Sequence, residues 1–133
     1  MPQEIQVGEI DIKVIVTNEL IESFDSVVKV ADNGPGLHYH TRMDEIFYIL
    51  SGAVLVTSGK DQIKATTGMV VRVPKMTPHA WKSFEGPARL LITFIPGANQ
   101  VNYLTELGEL MRSGGSWREG IKALQQKYDN TPL

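Results

Sequence analysis

Gly36-Leu37-His38-Tyr39-His40-Thr41-Arg42-Met43-Asp44-Glu45 puts two histidines two residues apart and a glutamate five residues after the second. Further on, Gly68-Met69-Val70-Val71-Arg72-Val73-Pro74-Lys75-Met76-Thr77-Pro78-His79 carries the third and last histidine of the chain. Residues i and i+2 of a strand share a face. His38 and His40 can therefore reach one point together while Tyr39 points away. Glu45 lies an odd number of positions from His40, so Thr41-Arg42-Met43-Asp44 must turn or bulge before Glu45 opens a new strand. From there the same-face set continues as Phe47 and Ile49, and Gly52 permits a tight reversal. Pro74 and Pro78 bracket the turn that delivers His79, whose strand face includes Trp81 and Ser83. Three imidazoles and one carboxylate form a ready shell for a divalent transition metal.

The surroundings of these blocks read as strands. Ile5, Val7, Ile10, Ile12, Val14 and Val16 lie in a largely alternating pattern, and Val27, Val28 and Val30 follow. Glu45–Leu50 and Ala53–Thr57 flank a turn at Ser51-Gly52. Ser58-Gly59-Lys60-Asp61 reads as a hairpin turn into Ile63, Ala65 and Thr67. Val70, Val71 and Val73 stop at Pro74, and Leu90–Ile95 ends at Pro96-Gly97. Short β-branched and aromatic runs at this spacing predict an all-β sandwich or small barrel.

After Pro96-Gly97 the period changes. Val101, Leu104, Leu107, Leu110 and Met111 recur at helical spacing, and Ser113-Gly114-Gly115 breaks the pattern. Ser116-Trp117-Arg118-Glu119 has the form of a capping box. Trp117, Ile121, Leu124 and Tyr128 then give a second helix one apolar face. We therefore expect one domain: a β-body over 1–98 and a helical extension over 99–133, packed on that body or on a partner subunit. The helix pair weakly matches a helix-turn-helix, but it has no basic face.

Composition narrows the function classes. The chain has 133 residues, 42% of them hydrophobic, with a formal charge of -2. No basic cluster stands out, so no nucleic-acid partner is expected. No apolar run approaches the ~20 residues that a membrane helix needs. The first residues, Met1-Pro2-Gln3-Glu4, do not read as a secretory signal. There is no cysteine, hence neither a disulfide nor a thiolate ligand. A cytoplasmic protein is expected.

The two blocks resemble the paired motifs of the cupin superfamily, close to the small bacterial cupins described as quercetin-dioxygenase-like. The first family motif is glycine, five residues, His-x-His, three or four residues, glutamate, six residues, glycine. His38, His40, Glu45 and Gly52 match it. The second is glycine, five residues, Pro-x-Gly, two residues, histidine, three residues, asparagine. Gly68, Pro74 and His79 match it. The short stretch 53–67 between the motifs is similar to that of microbial members, as are Pro87–Leu91, Pro96-Gly97 and Gln126-Lys127-Tyr128. Three positions depart: Asp32 stands at the leading glycine, Met76 at the glycine of Pro-x-Gly, and Ser83 at the final asparagine. A methionine at positive φ meets a steric cost that glycine does not. A serine at a supporting position can still hydrogen-bond.

The resemblance implies a double-stranded β-helix, or jelly-roll barrel, with a metal inside its mouth. It implies His38, His40, Glu45 and His79 as the metal ligands. Manganese, iron, cobalt, nickel, copper and zinc all suit this donor set. Phe47, Ile49, Met69, Trp81 and Phe94 would line an apolar pocket for a small aromatic or enol-like substrate that chelates the metal. The implied activity is a metal-dependent, dioxygenase-type oxidation, with Glu45 as ligand and catalytic base. The alternatives are a cupin that binds metal or a small molecule without turnover, and a sugar or keto-acid isomerase or decarboxylase. The latter would want an Arg, a Lys or a further His in the pocket, and Arg72 and Lys82 are expected to point away from it. The apolar stretch Ile5–Val16 would leave an edge needing cover, so a homodimer is expected.

Overall fold

A computed structural model describes residues 3–115 and 117–133. Ser116, the first residue of the expected capping box, lies outside the described residues. The strands are β1 (Glu4–Val7), β2 (Ile10–Thr17), β3 (Glu22–Val28), β4 (His38–Tyr39), β5 (Asp44–Ser51), β6 (Ala53–Ser58), β7 (Asp61–Thr66), β8 (Val70–Val73), β9 (His79–Ser83), β10 (Ala88–Ile95) and β11 (Thr131–Pro132). Helices α1 (Gln100–Arg112) and α2 (Trp117–Lys127) precede β11. They form a six-stranded sheet, in the order β1-β2-β3-β10-β5-β8, and a five-stranded sheet, in the order β11-β4-β9-β6-β7. Every strand pairing is antiparallel.

Alternation along the strands builds the core between these sheets. Phe47 and Ile49 of β5 and Leu90 and Ile92 of β10 turn inward from one sheet; Val54 and Val56 of β6 and Trp81 of β9 turn inward from the other. Each fully buried aliphatic or aromatic side chain contributes about 1.5–3 kcal/mol, which strongly fixes the strand register. A one-residue slip would send this whole set to solvent. Gly52 has φ 75°, and a Cβ there would sit 2.5 Å from the Pro87 carbonyl oxygen. Only glycine fits the β5–β6 reversal. The hairpin between β6 and β7 is made by Gly59-Lys60, as expected.

Two parts of the chain differ from the sequence-based expectation. The apolar region Ile5–Val16 is two strands, divided at Gly8 with φ 56°. Its edge strand β1 meets α1: Arg112 Nη1 donates to the Gln6 carbonyl at 3.0 Å, and Gly108 lies against that same oxygen. The edge expected to need a partner is thus met in part by the chain's own helix. α2 has no fully buried residue and rests on α1, with Leu110 against Gly120. The extension then turns back, and β11 pairs with β4, the strand that carries His38.

A second feature had no local signal. Glu22 at the start of β3 is fully buried. Its Oε1 accepts the backbone N–H groups of Ala98 and Gln100, both at 2.9 Å, and its Oε2 accepts Thr17 Oγ1 at 2.9 Å and the Val101 N–H at 3.1 Å. Asn99, the N-cap of α1, is left-handed and makes no side-chain cap. The carboxylate of Glu22, brought from the sheet, does that work at the positive end of the helix dipole.

Candidate metal centre

The four candidate ligands come from both sheets. β4 and β9 pair with His38 opposite His79, and the two rings lie 4.4 Å apart. His40 follows the last residue of β4, its ring 4.9 Å from that of His38 and 5.0 Å from that of His79. The segment between His40 and Glu45 crosses from the five-stranded to the six-stranded sheet. Glu45, the second residue of β5, therefore faces the histidines from the opposite sheet, paired with Phe94 on β10 and Val73 on β8. One donor atom from each of the four lies within 4.8 Å of all the others. Exposure is 8% for His38, 2% for His40, 3% for Glu45 and 1% for His79.

Each ring is held from behind. Nδ1–H of His38 donates to the Gly36 carbonyl at 2.7 Å, that of His79 to the Thr77 carbonyl at 2.9 Å, and that of His40 to the Asp129 carbonyl at 2.8 Å. A carbonyl can only accept, so Nδ1 is the protonated nitrogen in all three, and Nε2 is the atom turned to the centre. This is the orienting arrangement that metal-bound imidazoles require.

The ion-free electrostatics follow from the same contacts. Glu45 Oε1 accepts from His79 Nε2 at 2.8 Å and from His40 Nε2 at 3.0 Å. Burial alone would push the Glu45 carboxyl up, but the hydrogen bonds and charge of the two rings bring it down to about 2. Burial likewise works against a charged His40, yet Glu45 and the Asp129 carbonyl raise its pKa above the ordinary value. Burial dominates at His38 and pushes it down to about 4, against the attraction of Glu45. Nε2 of His40, like Nε2 of His79, turns a proton to the Glu45 carboxylate in the ion-free centre. A divalent cation is the natural replacement for that proton: it offsets the buried carboxylate and uses the same Nε2 lone pair. The donor set, three imidazole nitrogens and one carboxylate oxygen, fits a transition metal and could hold one.

The supporting positions are tied to the same elements. Asp44 accepts the Lys75 N–H at 2.9 Å and pairs with Arg72 at 3.1 Å, which fastens the turn before His79 to β5. Met76 donates its N–H to the His40 carbonyl at 2.6 Å. Its φ is 68°, and that of Asp32 is 54°, so both residues standing at family glycine positions adopt positive φ. Ser83 is fully buried, donates its hydroxyl to the Val30 carbonyl at 2.6 Å and accepts the Asn33 N–H at 3.1 Å. It holds the loop before β4 against β9.

Of the expected pocket residues, Phe47, Ile49, Trp81 and Phe94 turn inward and are buried. Phe94 stands edge-on to His40, with 5.7 Å between ring centroids, and Phe47 packs on Trp81 at 6.1 Å. Met69 does not join them. It sits in the turn between β7 and β8 at 39% exposure, its sulfur accepting from the Thr66 backbone N–H and hydroxyl at 3.3 Å. The hairpin register carries it out of the interior. Sequence reasoning missed Asp129, which lies 89 residues from the ring it orients.

A family model described as a cupin domain matches residues 26–94, more than half of the chain. The chain belongs to the cupin family. Among solved structures, this cupin is similar to KdgF from Halomonas sp., with a TM-score of 0.68 at 19% identity over 74% of this chain and 90% of that one. An RmlC-like cupin from Shewanella frigidimarina NCIMB 400 gives 0.68 at 16% identity over 76% and 89%. Pac13, a nucleoside dehydratase from Streptomyces, gives 0.61 at 16% identity over 75% and 80%. At these identities the likeness is one of fold, the jelly roll of two facing sheets. No curated protein matches the sequence. No described helix is long and apolar enough to cross a membrane.

Proposed function

We propose that this cupin is a metal-dependent oxidoreductase of the dioxygenase type, akin to the quercetin-dioxygenase-like group, acting on a small chelating aromatic or enol-like substrate. The carrying observation is the convergence of three Nε2 atoms and one carboxylate oxygen, each ring oriented from behind by a carbonyl. His38, His40, Glu45 and His79 are the ligands in this reading. The ion is manganese, iron, cobalt, nickel, copper or zinc. A bound ion of this kind supplies Lewis acidity toward oxygen donors and, where it is redox-active, electron transfer.

The chain's own residues do the rest. The three imidazoles fix the donor directions. Glu45 balances charge and, as catalytic base, takes a proton from the substrate. With Nε2 of His40 and His79 given to an ion, their hydrogen bonds to Glu45 would be gone, and Glu45 would act as base once its own hold on the ion loosens. Phe47, Ile49, Trp81 and Phe94 exclude water and offer apolar walls to a flat substrate. A homodimer in the cytoplasm belongs to the same proposal. Tyr48 and Val70 support the dimer, exposed side by side on the outer face of β5 and β8.

One observation favours a second reading, a cupin that binds a metal or small molecule without turnover: all four centre residues are buried, and Phe47 and Ile49 beside Glu45 are fully so. The isomerase or decarboxylase reading has less support, because no Arg or Lys is buried among the described residues and Arg72 and Lys82 are exposed. The test is oxygen uptake by protein loaded with each metal in turn, over flavonols, catechols and diketones. Uptake with oxygen incorporated into product supports the proposal. Tight calorimetric binding with no uptake under any metal overturns it in favour of the binding protein.

A further inference from the structure

We propose that Asp129 is a positioning residue for the metal centre, its carbonyl and its carboxylate together holding His40 in the orientation a ligand needs. The proposal rests on the metal-centre reading above and adds to it the segment that follows α2.

The three imidazoles are not held alike. His38 and His79 are each oriented by the carbonyl two residues before them, in the loop that leads into their own strand. His40 lies just beyond β4, where ladder bonds have ended. Its ring is held by the Asp129 carbonyl at 2.8 Å. The Asp129 carboxylate grips the two residues after His40, accepting the Thr41 N–H at 2.8 Å, the Thr41 hydroxyl at 2.6 Å and the Arg42 N–H at 3.0 Å. One residue thus fixes both the ring and the backbone that carries it. The Asp129 side chain is only 5% exposed, and its backbone is left-handed with φ 61°. A non-glycine residue keeps that conformation when its surroundings over-determine it.

Those surroundings are visible. Gln100, buried at the start of α1, donates to the Tyr128 carbonyl at 2.7 Å and accepts from Asn130 Nδ2 at 3.1 Å. Asn130 itself is buried and donates to the Tyr128 carbonyl at 3.0 Å. Thr131 and Pro132 then pair with Tyr39 and His38, and the Leu133 N–H reaches the Leu37 carbonyl at 3.2 Å. Asp129 is therefore clamped on both sides against the segment that presents His38 and His40.

The test is a cobalt(II) titration of the metal-free, full-length protein, followed by the d–d absorption of the ion. Asp129→Gly keeps the carbonyl and tolerates the left-handed backbone while it removes the carboxylate. It should bind cobalt about 10–100-fold more weakly than the wild type. Asp129→Asn, which keeps an acceptor oxygen, should fall between the two. In a His40→Ala background Asp129→Gly should change affinity by no more than about twofold, because its effect passes through His40. The metal-free protein gives a second readout: the His40 Nδ1 proton, slow to exchange in the wild type by nitrogen-15 NMR, should exchange fast in Asp129→Gly. Unchanged cobalt affinity, an equal loss in both backgrounds, or unchanged exchange would each overturn the positioning role. A wild-type protein that binds no cobalt would overturn the metal-centre reading and this role with it.

Discussion

Acid should destabilise the metal-free protein well before its surface carboxylates titrate, and His38 sets where. Burial holds this imidazole at about 4 in the folded chain, against an ordinary value of 6.5. Between those two values the unfolded chain takes up a proton that the folded chain refuses, so stability falls as pH falls through that window. At about 1.4 kcal/mol per pKa unit, the loss approaches about 3 kcal/mol, a large part of the 5–15 kcal/mol typical of a domain. Glu45 extends the loss further down. Its folded pKa is about 2 against 4.5, so its contribution is present above the ordinary value and disappears as pH falls toward the folded one. His40 acts in the other direction. Its folded pKa is raised, so its contribution is fully present below 6.5 and is lost as pH rises through the folded value. The three centre residues together place their best stability near pH 6.5. Urea unfolding in the presence of a chelator, from about pH 8 to about pH 4, reads this directly as a shift in midpoint. His38→Gln should flatten the acid limb between pH 6.5 and pH 4. An acid limb equally steep in that variant would refute the assignment to His38.

Two further substitutions test the supports. Glu22→Gln leaves two of four donors facing an amide nitrogen at the α1 N-terminus; at about 1–3 kcal/mol for each unsatisfied group, it should destabilise by about 2–6 kcal/mol in the same urea assay, and a loss below about 1 kcal/mol would remove Glu22 as the helix cap. Met76→Gly relieves a left-handed backbone at φ 68° beneath a side chain that is 58% exposed; it should stabilise by about 1 kcal/mol with metal affinity unchanged, and clear destabilisation would mean that the methionine packs at the rim of the centre.

The four residues of the candidate centre were legible as a group because a metal makes strict demands on residue type, and those residues sat in two short blocks. Strand periodicity gave the shared inward face of Phe47 and Ile49 with Glu45, and of Trp81 and Ser83 with His79. It could not show that Glu45 belongs to the opposite sheet. A turn between His40 and Glu45 was required by parity, but the sequence does not say where a turn leads. Met69 was misplaced because a residue next to a glycine turn can point either way, and here its sulfur turns back to Thr66. Asp129, Gln100 and Glu22 were invisible for another reason. Each is a single polar residue whose partners lie far away in sequence: 88 and 89 residues for Asp129, and up to 79 for Glu22. No local pattern marks such a residue, and only the folded chain brings the segment after α2 beside His40.

The central claim is a single transition-metal ion held by His38, His40, Glu45 and His79. Metal analysis of the protein expressed in defined metals, alongside His40→Ala, Glu45→Ala and His79→Ala, tests it most directly. The account predicts about one ion per chain in the wild type and a large loss of metal in each variant. Wild-type metal content in Glu45→Ala or His40→Ala would contradict it.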